Sequence, residues 1–136
     1  MTLKKQCLSP EEKFDLYCKD IDEWPLEWAG LPELDIPVGT RLIKEFKPFL
    51  LDLIHRDRSK GTVKKYASYL CCLGGEIMRR VDDSANDRKL PVRDLLFKYI
   101  DEEGGPLWRH ARDERDHMAY DSVCRLLYKF MTKETA

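Results

Sequence analysis

VKKYASYLCCLGGEIMRRV, residues 63–81, decides the fold. Val63, Tyr66, Ala67, Leu70, Leu73, Gly74, Ile77, Met78 and Val81 recur at steps of three and four, the period of a helix with one buried face. Gly74-Gly75 weakens that helix by roughly 1 kcal/mol per glycine relative to alanine. The pair is therefore expected where another backbone approaches closely.

Working upstream, residues 40–55 carry a second stripe of Leu42, Phe46, Phe49, Leu50 and Leu53, with Ile43 and Ile54 beside it. Pro48 interrupts this pattern and predicts a kink or a restart near Lys47. The stretch WPLEWAGLPELDIPVG, residues 24–39, holds three prolines and two glycines. It reads as an irregular strap that lays Trp24, Leu26, Trp28 and Leu31 across the core. Before it, Ser9-Pro10-Glu11-Glu12 has the order of a capping box with proline at the first helical position. The helix it opens puts Phe14, Tyr17 and Cys18 or Ile21 on one face.

Downstream, a polar loop from Asp82 to Lys89 precedes a helix opened by Pro91 and carrying Val92, Leu95, Leu96, Tyr99 and Ile100. Gly104-Gly105-Pro106 is the expected stop. A last helix near Asp113 carries Ala119, Val123, Leu126, Leu127 and Phe130. No segment alternates as a strand does. The reading is an all-α, single-domain bundle of about five helices, with residues 1–39 as N-terminal helix and strap and residues 40–136 as helical core.

The totals bound the function. The 136 residues are 43% hydrophobic and 36% charged, with a net charge of −1. That is enough apolar residue for one packed domain and more charge than usual, as helices with long solvated faces require. The charge is uneven. Residues 1–37 hold four lysines against nine acids, −5; residues 38–81 hold ten cations against four acids, +6; residues 82–136 hold ten against twelve, −2. Only the middle third offers a polyanion a surface. Five cysteines, two of them adjacent at Cys71-Cys72, form no CxxC pattern, which argues against a zinc ribbon or a disulfide framework. No leader-like opening and no run of membrane-spanning length is present, so a cytoplasmic chain without a membrane partner is expected.

Three chemistries come into question. His55-Arg56-Asp57 matches the first letters of a kinase catalytic loop, but Thr62 stands where the magnesium-holding Asn belongs and no Gly-rich phosphate loop exists. His110, Glu114, His117, Asp121 and Cys124 share one helical face by spacing, as metal ligands could. That face points away from the apolar stripe, and it is read as solvated and charged, with no metal and no cofactor. No activated nucleophile can be assembled, so no enzyme is expected. What remains is the outer face of the 63–81 helix: Lys64, Lys65, Ser68, Cys72, Gly75 and Arg79. Arg56, Arg58 and Lys60 lie just before it, and the first-turn amides near Thr62 are expected to face a phosphate oxygen. The basic members suit double-stranded DNA. The small members Ser68, Cys72 and Gly75 suit instead another protein or a second copy of the chain.

LIKEFKPFLLDLIHRDRSKGTVKKYASYLCCLGGEIMRR, residues 42–80, resembles the start of the core-binding, SAM-like domain of tyrosine recombinases (phage integrases), with Ser59, Thr62 and Tyr66 at its polar turn and helix entrance. YDSVCRLLYKFM, residues 120–131, is similar to the last helix of that domain. The resemblance implies a DNA clamp. The recombinase catalytic set is missing, for His110-Ala111-Arg112 is one residue short of His-x-x-Arg. WPLEWAGLPELDIP and LPVRDLLFKYIDEEGGPL fall outside that pattern and are similar to small stand-alone bacterial proteins of unassigned function.

Overall fold

The computed structural model describes residues 8–135, and helix dominates them. Six α-helices follow in order: α1 Pro10–Tyr17, α2 Trp24–Trp28, α3 Pro32–His55, α4 Lys60–Asp83, α5 Val92–Tyr99 and α6 Glu114–Thr135. Short 3₁₀ turns at Ile21–Glu23 and Ala85–Lys89 link them. The described residues hold no strand, only one isolated antiparallel bridge between Asp101 and Gly104. None of their helices is long and apolar enough to cross a membrane.

Local chemistry starts each helix. Ser9 Oγ accepts the Glu12 N–H at 3.1 Å while Glu12 accepts the Ser9 N–H at 2.9 Å, the reciprocal pair expected from the sequence. Ser59 caps α4 by accepting the Thr62 N–H at 3.1 Å. The α4 stripe is buried as its period requires, from Val63 through Leu70, Leu73 and Ile77 to Val81, with Tyr66 half-buried. It packs on α3, whose Leu42, Phe46 and Leu50 are fully enclosed.

The strap is mostly helical, and this corrects the reading of residues 24–39. Residues 24–28 form α2, and residues 32–39 are the first two turns of α3, which brings the α-helices among the described residues to six. Pro25 and Pro32 sit in the first two positions of their helices, where a missing N–H has no partner to lose. Asp35 accepts the N–H groups of Gly30 at 2.9 Å and Leu31 at 2.8 Å, which fastens the turn between the two helices. Pro37 and Pro48 lie inside α3, which continues through both. An interior proline costs about 3 kcal/mol, and the enclosed Val38, Leu42, Ile43, Phe46, Phe49 and Leu50 outweigh that. Of the four residues expected across the core, Trp24 is buried and Trp28 is packed against it. Leu26 and Leu31 are exposed, at 67% and 51%.

Two further boundaries differ. α5 stops at Tyr99, ahead of the glycines, because Ile100 turns to extended backbone and buries its side chain. Gly104 then takes φ 140° in a tight turn closed by hydrogen bonds to Asp101 in both directions. On α6 the buried stripe is Tyr120, Val123, Cys124, Leu127 and Met131, and Leu126 is exposed. The helix is rotated from its expected setting because Tyr120 enters the core beside Trp108, with ring centroids 5.3 Å apart.

The close approach at Gly74 is made by an indole, and the expected backbone is not there. A β-carbon at Gly74 would lie 2.2 Å from Trp28 Cζ2, whereas one at Gly75 would lie 3.6 Å from Trp28 Cδ1. The ring cannot easily yield. Its Nε1 donates to the Cys71 carbonyl at 2.9 Å, and it packs on Trp24 and Phe46 with centroids 5.9 and 6.4 Å away. Gly74→Ala is therefore expected to lower stability by about 2 kcal/mol through overpacking. Gly75→Ala should raise it by up to about 1 kcal/mol through helix propensity. Urea midpoints of the two variants check this, and equal effects would remove the notch from the account.

Candidate nucleic-acid interface

The basic stretch begins where α3 is unwound. The Arg58 N–H reaches the Leu53 carbonyl at 3.0 Å and the Asp57 N–H reaches that of Ile54 at 2.9 Å, the pair of bonds of a Schellman stop. Asp57 holds the left-handed position of that motif with φ 61°, where glycine is usual. The turn is short because α4 is capped two residues later, so Arg56, Arg58 and Lys60 stand together at one end of the bundle, all exposed.

The side chains there are differently engaged. Arg56 Nε pairs with Asp52 at 2.9 Å. Lys60 Nζ lies 5.9 Å over the Tyr17 ring. Among the described residues, Arg58, Lys64 and Lys65 make no ion pair. The first-turn amides are less available than expected. The Thr62 N–H is taken by Ser59 Oγ, which itself donates to Thr62 Oγ1 at 3.0 Å, and the Val63 N–H goes to the Ser59 carbonyl at 3.0 Å. Any phosphate at this corner is held mainly by side chains.

The end of α6 completes the site. Arg125, Lys129 and Lys133 recur at steps of four on its exposed side, about 6 Å apart along the axis. Lys129 and Lys133 meet Arg56 and Arg58 around a cleft of about 210 Å³ between α3, α4 and α6. Its inner surface comes from Phe49, Leu53, Tyr66 and Phe130, with Phe49 and Phe130 edge to face at 5.7 Å. Among the described residues, Asp52, already paired with Arg56, is the one acid on its wall. Composition hides this contribution, because the last 55 residues are net acidic and mask a basic stripe whose only sequence signal is the spacing of Arg125, Lys129 and Lys133.

Arg79 is not brought into the cluster. It lies fifteen residues beyond Lys64, about 22 Å along the helix axis, with Nη2 3.4 Å from His110 Nε2 and Nε 4.0 Å from the Glu76 carboxylate. The α4 face between them is flanked by the N-terminal segment. Lys64 and Ser68 share a hollow with Tyr17, Asp20 and Trp24, and Gly75 faces the Trp28 indole. Ser68 is exposed, whereas Cys72 and Gly75 are half-buried.

The His110–Cys124 series does not form the solvated face read from its spacing. His110 precedes α6, and Cys124 is buried. His117 bridges inward: Nδ1 stands 3.1 Å from Asp121 Oδ2, Nε2 accepts the Trp108 N–H at 3.1 Å, and Asp121 also accepts the Gly105 N–H at 3.1 Å. These residues clamp the loop before α6. Among the described residues, no group of three or more His, Cys, Asp and Glu side chains is placed to hold a metal ion. Burial pushes the thiols of Cys18 and Cys72 up to about 11 and that of Cys124 to about 12, so each is protonated at neutral pH.

No protein-family model matches the chain, and neither a curated protein nor a solved structure matches it. The recombinase resemblance therefore rests on residues 42–80 and 120–131 themselves.

Asp57→Gly should relieve the left-handed strain and raise stability by about 1 kcal/mol, or roughly 3 °C in melting temperature. A melt measured by circular dichroism checks this, and an unchanged or lower midpoint contradicts it.

Proposed function

We propose that this chain is a non-catalytic DNA-binding module whose contact surface is the basic end of the bundle. The observation that carries this reading is the convergence of Arg56, Arg58, Lys129 and Lys133 on one cleft, extended by Lys60, Lys64, Lys65 and Arg125. The overall charge is −1, so attraction to a polyanion must be local and sensitive to salt. The resemblance of residues 42–80 to a recombinase DNA clamp supports the same reading. Arg79, on the far side of the Trp28 contact, is left outside it.

With Arg56 already paired to Asp52, three cleft cations, Arg58, Lys129 and Lys133, each displacing a condensed counterion correspond to a slope of about −2.7 for log K against log salt. Fluorescence anisotropy with a labelled duplex measures it. Lys129→Glu with Lys133→Glu should weaken binding at least about tenfold on every sequence tested and flatten the slope, whereas Arg79→Ala leaves both unchanged. Absence of salt-dependent binding at low ionic strength overturns the proposal. So does a loss with Arg79→Ala as large as that with the α6 reversals.

A second reading, a protein-interaction or structural helical domain without enzymatic activity, draws on one different observation. Leu16, Leu26, Leu31 and Leu34, all in the N-terminal quarter, are each more than half exposed. A second copy of the chain is the simplest partner for such a surface. Size exclusion with light scattering over a wide concentration range tests it: a dimer that Leu26→Glu and Leu34→Glu dissolve supports self-association, and a strict monomer excludes it.

A further inference from the structure

The cleft at the basic end is not built as a plain phosphate grip. A surface that only neutralises phosphates needs cations and N–H donors, yet most of this lining is apolar. Three rings, Phe49, Tyr66 and Phe130, and the side chains of Leu53 and Leu126 line it, with the guanidinium and ammonium groups of Arg56, Arg58, Lys129 and Lys133 around them. Tyr66 and Phe130 are only half-buried and keep part of their surface open to the cleft. Its volume of about 210 Å³ is below the roughly 300–1,000 Å³ of sites for drug-sized ligands. It suits one ring system with charge on either side.

We propose that this cleft takes an unpaired base of single-stranded DNA, stacked on Tyr66 or Phe130, while the four cations hold the phosphates flanking it. This rests on the DNA reading above and specifies the form of DNA. In a duplex the faces of the bases are covered by their neighbours and only edges reach the grooves, so aromatic walls find nothing to stack on. In a single strand every base offers a face, and a cationic groove beside aromatic side chains is the recurring solution for binding it. Asp52 pairs with Arg56 at 2.9 Å, so the net positive charge at the cleft comes from Arg58, Lys129 and Lys133, and Arg56 contributes through its remaining N–H donors.

The test needs no variant to begin. Anisotropy is measured with labelled oligodeoxythymidylate, an abasic strand of the same length and a duplex of the same length, at one salt concentration. The base-bearing strand should bind about tenfold tighter than the abasic strand of equal charge, the size of one base–aromatic stack. Tyr66→Leu and Phe130→Leu, each checked for an unchanged helical spectrum, should erase that margin while duplex binding stays as it was. Equal binding of the base-bearing and abasic strands overturns this inference; if salt-dependent duplex binding persists, the DNA reading itself stands. Tighter binding of a tyrosine-phosphorylated peptide than of any oligonucleotide also overturns it, since such a peptide presents the same ring and charge. Failure of every nucleic acid to bind overturns both.

Discussion

The contact between the Trp28 indole and the bare backbone at Gly74 holds the N-terminal segment to the rest of the molecule. Two adjacent glycines in the middle of α4 cost it roughly 2 kcal/mol of helix propensity. The half-buried Trp28 indole, packed against the core, contributes more, since truncating a fully buried tryptophan costs on the order of 3–5 kcal/mol. The balance favours the notch. With it, α2 lies close to α4 and Trp28 Nε1 reaches the carbonyl of Cys71. The same contact covers part of the α4 face near Gly75 and so restricts where that helix can meet a partner.

Buried carboxylates do the remaining fastening between helices. Asp35 receives two amides of the 30–31 turn and the Arg88 guanidinium. Glu76 receives Arg80 at 3.0 Å and the Arg109 N–H at 3.2 Å, which draws the loop before α6 onto α4. Asp87 receives Lys98 at 2.7 Å and the Tyr99 hydroxyl, and Asp116 receives the Tyr69 hydroxyl and the Arg112 N–H. Burial alone would raise the Asp87 carboxyl, but Lys98 and Tyr99 outweigh it and hold it below its usual range. The Arg112 amide, assisted by Tyr69, does the same for Asp116 against its burial. Acids occupied inside the fold are not available to neutralise cations at its end. Each of these acids also occupies a cation, Arg88, Arg80, Lys98 and Arg112, so the whole-chain balance of 24 cations against 25 acids says little about the charge at any one end.

Legibility in the sequence followed how local each cause was. The α4 stripe, the Ser9 capping box and the all-helical class could be read because each depends on residues within two turns of one another. The α2–α3 region could not, since its prolines count as breakers until their places at helix starts are known. Leu26 and Leu31 look like core residues by type and are exposed by position. On α6, Tyr120 and Leu126 are both credible inward residues by spacing, and only the ring of Trp108 decides between them. The site divides in the same way. Arg56 and Arg58 are adjacent in sequence and visible as a cluster. Lys129 and Lys133 join them only because α3, α4 and α6 end side by side.

That shared end also determines how nucleic acid can be met. A recognition helix laid lengthwise in a groove needs one free face over several turns. The face of α4 is exposed at Lys64 and Lys65, but Lys64 and Ser68 border the hollow of the 17–24 segment, and at Gly75 the face meets Trp28. Only the first turns of α4 project, together with the turn before them and the end of α6. Under the proposed DNA reading, contact would be end-on and short, made by flexible cations around an aromatic hollow. Such a surface reads charge and the accessibility of a base face far better than it reads sequence, because no rigid donor–acceptor array reaches base edges in register. On the DNA-binding reading proposed above, this geometry would favour discrimination between paired and unpaired DNA over discrimination between one sequence and another.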